Sequence, residues 1–246
     1  PAVDVETAAI LKKAITASRA LAELKGMAER MPNQAMLIDS LVLQEARASS
    51  EIENILTTND ELFKAASDEA LPASAEAKEV LRYRQALNHG FRQIGDRPLT
   101  TSLFTEIAQL IKQTEFSVRR TPGTRIANSR GETIYTPPEG EAVIRDKLRD
   151  LENFIHAQDV PGSGLDVLVK MALLHYQFEA IHPFPDGNGR TGRILNILYL
   201  VDQGLLNVPV LYLSRHIIDH KPAYYEGLRR VTEEGAWSDW VLYLLD

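Results

Sequence analysis

His182 to Arg193 read HPFPDGNGRTGR, and the other segments of the chain are interpreted around this stretch. It places one histidine, one aspartate, three glycines, one asparagine and two arginines within twelve consecutive positions. Glycines let backbone N–H groups approach a bound anion closely. Arg190 and Arg193 are three residues apart, so on a helix they share a face. Two cations at the start of a helix, whose dipole also favours negative charge, predict a polyphosphate site.

Two further residues of this stretch carry chemistry. Asp186 supplies the hard oxygen ligand that Mg²⁺ prefers, and Mg²⁺ commonly accompanies polyphosphates. His182 has an ordinary pKa of about 6.5, which suits a general base. The glycines also match G-x-G-x-x-G, but a dinucleotide fingerprint needs a preceding strand, whereas a long helical pattern precedes them here. The other alternative is an ordinary turn with a surface ion pair. It would explain the glycines and the aspartate but not the histidine, the asparagine and the two arginines together.

The flanking sequences indicate rigid support for this stretch. Residues 167–181 are apolar almost all round, which predicts a helix inside the core. Residues 194–204 predict a second apolar helix that ends at Gly204. We therefore expect the polar stretch to be held between two buried helices.

The stretch resembles the signature of the Fic family, H-x-F-x-[DE]-G-N-G-R-x-x-R. The matching residues are His182, Phe184, Asp186, Gly187, Asn188, Gly189, Arg190 and Arg193. The resemblance implies an all-α Fic fold, a helical bundle core with a small β-hairpin flap. It also implies an enzyme that transfers AMP from Mg-ATP to a hydroxyl side chain of a target protein. The related Doc-type kinases carry Lys at the position of Gly189, which argues against phosphate transfer.

The resemblance also assigns roles to individual residues. His182 is expected to be the catalytic base, and Asp186 the Mg²⁺ ligand. The expected nucleotide-binding residues are Gly187, Asn188, Gly189, Arg190, Thr191, Gly192, Arg193 and Tyr224. Tyr224 is included because the first turn of that helix lines the adenine pocket in the family, although a core aromatic is the alternative.

A second motif lies near the N-terminus. Ser49, Glu53 and Asn54 match the family's inhibitory motif, [ST]-x-x-x-E-[GN]. Ser49 and Glu53 lie on one face of a helix predicted over residues 36–55. By resemblance, Glu53 pairs with Arg193 and occupies the place of the ATP γ-phosphate. Without the signature, an exposed glutamate near a helix end would be the simpler interpretation.

Two short β-prone runs, residues 124–127 and 133–136, flank the turn Asn128 to Gly131 and predict a β-hairpin. By resemblance this is the flap, over about residues 124–138, that binds the target segment. Ile134, Tyr135 and Thr136 are its expected target-binding residues, because an exposed strand edge can pair with an extended peptide. A mere connection between helices is the alternative.

The remaining pattern predicts two parts. Residues 1–73 form an N-terminal helical region that ends in a polar linker over residues 56–73, and residues 74–246 form the Fic core. Helices are predicted over residues 5–31, 74–94, 101–113 and 141–158, with a further helix near Pro222 that ends at Gly235. Residues 208–214 are left open between strand and loop. His175 is interpreted as a core histidine.

Composition limits the function classes. The net charge is −7, so nucleic acid is not an expected partner. The chain has no cysteine, which excludes disulfides and thiolate metal sites and fits the cytoplasm. No apolar run reaches membrane-spanning length. Both ends of the chain look cut, so we expect a piece of a longer protein.

Three functional hypotheses stay open. The first is a self-inhibited protein adenylyltransferase whose partner is a target protein with a Ser, Thr or Tyr hydroxyl, or the chain itself. The second is a de-AMPylase that uses Glu53 as the base. The third is a non-catalytic nucleotide-sensing module. The sequence leaves open whether the protein is a homodimer.

Overall fold

The computed structural model describes residues 3–67, 74–127, 133–157 and 164–246. Within these ranges the protein is a helical bundle with one short antiparallel pair of strands. The helices are α1 (Ala8–Arg30), α2 (Gln34–Ile52), α3 (Asn59–Ser67), α4 (Ala75–Gln93), α5 (Thr101–Lys112), α6 (Glu141–His156), α7 (Val167–Ile181), α8 (Asn188–Asp202), α9 (Leu213–Asp219), α10 (Lys221–Glu234) and α11 (Trp237–Leu244). The strands are β1 (Ile126–Ala127) and β2 (Thr133–Tyr135). The predicted helical bundle with a short pair of antiparallel strands is confirmed.

Helices α7 and α8 form the centre of the bundle. The Asp166 side chain begins α7 by accepting hydrogen bonds from the N–H groups of Leu168 and Val169, at 2.9 and 3.3 Å. Most residues of α7 are buried, as its uniformly apolar sequence predicts. Helices α4, α5 and α6 pack around this pair. Across the described ranges, no helix is long and apolar enough to cross a bilayer.

Helix α2 is fixed to the bundle by a buried carboxylate. Glu45 is fully buried, and its carboxylate accepts hydrogen bonds from the backbone N–H of Ser214 at 2.8 Å and from the Tyr83 hydroxyl at 3.1 Å. Tyr83 lies on α4 and Ser214 on α9. Burial raises the pKa of Glu45, while its bonds to Ser214 act in the opposite direction. Glu45 therefore sets the position of α2 relative to two other helices.

The structure differs from the sequence-based expectation at three places. Helix α3 lies inside the predicted linker, because its apolar Leu62 is buried. Helix α9 begins within the segment left open between strand and loop. Helix α8 begins at Asn188, so half of the signature is itself helical. Residues 68–73 of the linker and the predicted hairpin turn at residues 128–131 lie outside the described residues.

Replacing Glu45 by Ala should lower the free energy of unfolding by roughly 2–4 kcal/mol, since each unpaired buried donor costs about 1–3 kcal/mol. Urea denaturation followed by circular dichroism measures this loss. Gln44→Ala is the matched control, because Gln44 is the exposed neighbour on the same helix. A Glu45→Ala protein as stable as the Gln44→Ala protein would contradict the anchoring role.

Candidate active site

The loop between α7 and α8 carries the signature and is held in one shape. His182 ends α7 in the left-handed region, with φ 48°, and Gly187 begins α8 with φ 81°. The Asn188 side chain accepts a hydrogen bond from the Phe184 N–H and donates one to the Phe184 carbonyl, both at 2.8 Å. Asn188 therefore shapes the loop, and its predicted contact with the nucleotide stays a prediction.

Arg193 is the buried cation of the site, with a side chain that is 1% exposed. Its Nε donates to the Ser49 hydroxyl at 2.8 Å, and its Nη2 donates to the Ser49 carbonyl at 2.9 Å. The same Nη2 donates to Glu53 Oε1 at 2.8 Å. Burial is the largest influence and would lower the pKa of Arg193, but Glu53, Tyr224 and Glu179 together raise this pKa above its ordinary value. The structure thus brings together Ser49, Glu53 and Arg193.

The end of α2 explains the spacing of the N-terminal motif. Glu53 caps the helix, and Asn54 adopts the left-handed region with φ 62°, which Gly and Asn tolerate best. The Asn54 N–H donates to the Glu51 carbonyl and the Ile55 N–H to the Ser50 carbonyl, both at 3.0 Å. This is a Schellman motif. It turns the chain immediately after Glu53 and leaves that side chain free to meet Arg193.

Two glycines of this stretch lie close against neighbouring carboxylates. A Cβ atom at position 189 would lie 2.4 Å from Glu53 Oε1, and one at position 192 would lie 2.5 Å from Glu179 Oε1. Thr191 and Gly192 are buried on α8. Thr191 and Gly192 thus pack inside the bundle, and their predicted contact with the nucleotide stays a prediction.

Asp186 and Arg190 belong to a second charged cluster, which includes two residues that the sequence analysis did not single out. Arg190 Nη1 lies 2.6 Å from Glu79 Oε1. Lys112 Nζ lies 2.9 Å from Glu79 Oε1 and 2.7 Å from Asp186 Oδ2. Burial disfavours the charged form of each group, but the oppositely charged neighbours together outweigh it. The pKa of Asp186 and the pKa of Glu79 are therefore lowered, and the pKa of Lys112 is raised. Asp186, Glu79 and Lys112 are therefore charged at neutral pH.

His182 is partly buried and is influenced by one cation and two carboxylates. Burial, and then the guanidinium of Arg119, lower the pKa of His182 to about 4, while the Glu179 backbone, Glu53 and Asp186 act in the opposite direction. The imidazole is therefore neutral at pH 7 and able to accept a proton.

Glu179, one turn before His182, has a buried Oε1 atom without a hydrogen-bond partner. Burial raises the pKa of Glu179 to about 7, although Arg193 opposes the shift. A carboxyl group with this pKa is only partly ionised at neutral pH, which limits its competition with Glu53 for Arg193.

Tyr224 lies in the core, 2% exposed, and its hydroxyl is 2.8 Å from His175 Nε2. His175 is itself buried, and burial lowers its pKa to about 3, which agrees with a core histidine. The predicted contact of Tyr224 with the adenine stays a prediction. The next residue, Tyr225, is 40% exposed, and burial and then Glu53 raise the pKa of Tyr225 to about 12. Tyr225 is therefore the aromatic side chain that borders the site.

The strand pair lies beside the end of α7. Ile126 pairs with Tyr135 in antiparallel register. The Tyr135 hydroxyl donates to the Ala180 carbonyl at 2.8 Å, which ties β2 to the helix that carries His182. Ile134 is 41% exposed and Thr136 is exposed, so both are accessible from solvent. Target binding by these residues stays a prediction.

The arrangement joins a neutral imidazole, the N-terminus of α8 and two buried guanidiniums. Such a site can hold a polyphosphate and accept a proton from a hydroxyl group. Glu79, Lys112 and Arg119 were missed because their closeness to the signature depends on tertiary packing. Glu79 is one of several charged residues on α4, Lys112 ends α5 and Arg119 lies outside the helices, so no sequence signal distinguishes them.

Comparison with known proteins supports the same architecture. The family model described as "Fic/DOC family N-terminal" matches residues 11–92, and the model described as "Fic/DOC family" matches residues 98–200. Among curated proteins, the chain is 29% identical over 205 residues to "Probable protein adenylyltransferase" of Aquifex aeolicus, a match that covers 81% of this chain and 57% of that protein. It is 34% identical over 94 residues to "Protein adenylyltransferase fic-1" of Caenorhabditis elegans, covering 38% of this chain and 17% of that protein.

Solved structures show the same fold. A Fic family protein from Desulfovibrio desulfuricans G20 superposes with a TM-score of 0.75 at 20% identity, covering 100% of this chain and 73% of that one. A Fic domain containing signaling protein from Bacteroides thetaiotaomicron superposes with a TM-score of 0.70 at 19% identity, covering 96% of this chain and 90% of that one. With both family models matched in order along one Fic fold, the chain belongs to the Fic/DOC family and carries that family's N-terminal segment ahead of its core.

Proposed function

We propose that this chain is a protein adenylyltransferase that transfers AMP from ATP to a hydroxyl group of a protein and is held inactive by Glu53. The observation that carries the proposal is the 2.8 Å ion pair between Glu53 and the buried Arg193, inside a complete Fic signature. The names of the curated relatives support the reaction class. The chain spans 57% of the Aquifex aeolicus relative, so the activity of the whole protein is part of the proposal.

The nucleotide site is proposed at the start of α8. The first backbone N–H groups of a helix lack intrahelical partners and favour anions. Gly187, Asn188 and Gly189 supply these groups. Arg190 and Arg193, with side chains 3% and 1% exposed, add two charges with little competing solvent. Buried guanidiniums bind phosphate oxygens strongly because they offer two parallel donors.

His182 is proposed as the base of the transfer step. Its neutral imidazole accepts the proton of a Ser, Thr or Tyr hydroxyl as the oxygen attacks the α-phosphorus of ATP. The bond from that phosphorus to the bridging oxygen breaks, pyrophosphate leaves, and AMP remains on the target. A target segment paired with the exposed edge at Ile134 would lie beside this imidazole, and the chain itself is one such target.

Mg²⁺ would be held by Asp186. The described residues contain no group of three or more potential metal ligands, but Mg²⁺ bound with nucleotide phosphates needs only one or two carboxylates. The Asp186 side chain is 61% exposed, so it is open to a nucleotide-bound cation, although Lys112 Nζ at 2.7 Å must then move. The residues therefore fit the ion. Bound there, Mg²⁺ would neutralise charge on the phosphates.

Glu53 is proposed to inhibit by occupying Arg193. A carboxylate and a phosphate compete for the same guanidinium donors. With Glu53 in place, the γ-phosphate loses that partner and ATP binds weakly or in an unproductive pose.

The cytoplasm is the compartment in which we place this reaction.

Two other functions use the same geometry and differ in their readout. In a de-AMPylase, Glu53 would activate water, so release of AMP from a modified protein would be lost when Glu53 is replaced. In a nucleotide-sensing module, ATP would bind without transfer to any protein. The experiments below separate the sensing module from the proposed activity, and release of AMP from a pre-labelled protein tests the de-AMPylase.

His182→Ala should lower AMP transfer by roughly 10²–10⁴-fold, the usual contribution of general base catalysis, and should leave ATP binding largely intact. The assay follows protein labelling from radiolabelled ATP in the Glu53→Gly background, with calorimetry for binding. His220→Ala is the control, because His220 is an exposed histidine of the same chain. Equal labelling by both variants would remove His182 from the reaction.

Glu53→Gly should raise labelling from radiolabelled ATP by roughly 5–150-fold, the range expected when a coupling of about 1–3 kcal/mol is removed. Glu53→Gln tests the charge alone at nearly constant size, and Glu51→Gln is its matched control on the same helix. Silence of both Glu53 variants in purified form and in lysate would contradict inhibition by this residue. If ATP still binds them, the sensing module would be favoured.

A further inference from the structure

Arg119 is a buried arginine that the proposed reaction leaves without a role. It follows α5 in the chain and is 4% exposed. Its Nε donates to the His182 carbonyl at 2.7 Å, and its Nη2 donates to the carbonyls of Ile181, at 3.4 Å, and Pro138. Its backbone N–H donates to the Pro183 carbonyl at 2.9 Å. A buried guanidinium that serves main-chain oxygens from two segments orders both of them.

The first of these two segments is the end of α7, where His182, the proposed base, lies. His182 has φ 48°, a conformation that is uncommon for residues other than glycine and persists only where the surroundings hold it. The last carbonyls of a helix also lack intrahelical partners. Arg119 satisfies the carbonyl of His182 and contacts that of the residue before it. The guanidinium therefore fixes the peptide from which the imidazole projects.

The second segment is the flap. Pro138 follows β2, and Tyr135 within β2 donates its hydroxyl to the Ala180 carbonyl at 2.8 Å. Two side chains thus connect the flap to the last turn of α7. One of them, Arg119, contacts the flap and the His182 carbonyl with the same guanidinium.

The charges around His182 come from three directions. Arg119 approaches from the segment after α5, Glu53 from the end of α2 and Asp186 from the signature loop. After burial, Arg119 is the strongest influence that lowers the pKa of His182, while Glu53 and Asp186 raise it. A change at Arg119 should therefore appear in the titration of His182 as well as in its position.

We propose that Arg119 is a positioning residue that couples the flap to His182, so that a target segment lying along the flap meets an imidazole of fixed orientation. The inference rests on the proposed function, since it assumes that His182 is the base. It adds that Arg119, which lies outside the signature, holds the flap and His182 in a fixed relative position.

The test compares Arg119→Gln, Arg119→Lys and the control Arg120→Gln. Arg120 is the next residue in the chain, is 74% exposed and pairs with Glu141 at the surface. Two measurements need no activity: amide hydrogen exchange of residues 133–138 and 180–184, and an NMR titration of the His182 ring, assigned with a His182→Asn sample.

Arg119→Gln should speed exchange in both segments together and raise the pKa of His182 from about 4 towards the ordinary value for histidine. Arg119→Lys keeps a charge but loses the forked donors, so exchange should rise while the pKa of His182 stays near that of the parent. Arg120→Gln should change neither. If Arg119→Gln does not fold, the exchange pattern of Arg119→Lys decides.

In the Glu53→Gly background, Arg119→Gln should lower kcat for labelling by about tenfold to a hundredfold with little change in KM for ATP, the loss expected for a misplaced base. The acid limb of its pH profile should move to higher pH, because a raised pKa protonates His182 earlier as pH falls. Unchanged exchange and titration in Arg119→Gln, or equal effects in Arg120→Gln, would overturn the coupling. Absence of labelling in the Glu53→Gly parent would instead contradict the proposed function and leave the exchange and NMR results to judge Arg119.

Discussion

Arg193 is a full positive charge inside a helical core, and the rest of the site depends on how that charge is satisfied. A buried cation without partners is costly, so the fold must supply acceptors. Here the acceptors come from one helix end, through the hydroxyl and carbonyl of Ser49 and the carboxylate of Glu53. Because Ser49 accounts for two of the three bonds, Arg193 stays partly satisfied if Glu53 moves away. The contact between Glu53 and Arg193 is therefore the one that a ligand can replace. The Glu53 side chain is also 35% exposed, whereas that of Arg193 is buried.

The other signature charges are balanced in a different way. Arg190 and Asp186 form a closed cluster with Glu79 and Lys112, which carries two positive and two negative charges. An arriving polyphosphate and its cation would have to rearrange this cluster rather than enter a bare site. The four charges of this cluster sum to zero, and its ion pairs hold the side chains in place before a nucleotide binds. Carboxylates of this acidic chain thus balance the two buried guanidiniums, Arg190 and Arg193.

The sequence allowed the fold and the centre of the site to be predicted because both depend on local patterns. The uniformly apolar run before His182, the signature itself and the spacing of Ser49, Glu53 and Asn54 each have a local physical cause. The rest depends on tertiary contacts. Leu62 makes helix α3 by finding a buried surface, and Tyr224 is withdrawn into the core by His175. Lys112 and Arg119 look like ordinary surface charges until α5 and its following segment pack against the loop.

Gly189 has a consequence for how members of such a family can differ. A methyl group at this position would collide with Glu53 Oε1 at 2.4 Å. By the resemblance described above, Doc-type kinases carry lysine there, and a lysine contains that methyl position as its first side-chain atom. A chain with lysine at this position therefore requires a glutamate placed like Glu53 to shift its carboxylate away from the position it takes here against Arg193. A side chain at position 189 thus acts on the Glu53–Arg193 contact as well as on the bound phosphates, so a change in the transferred group also changes the geometry of this restraint.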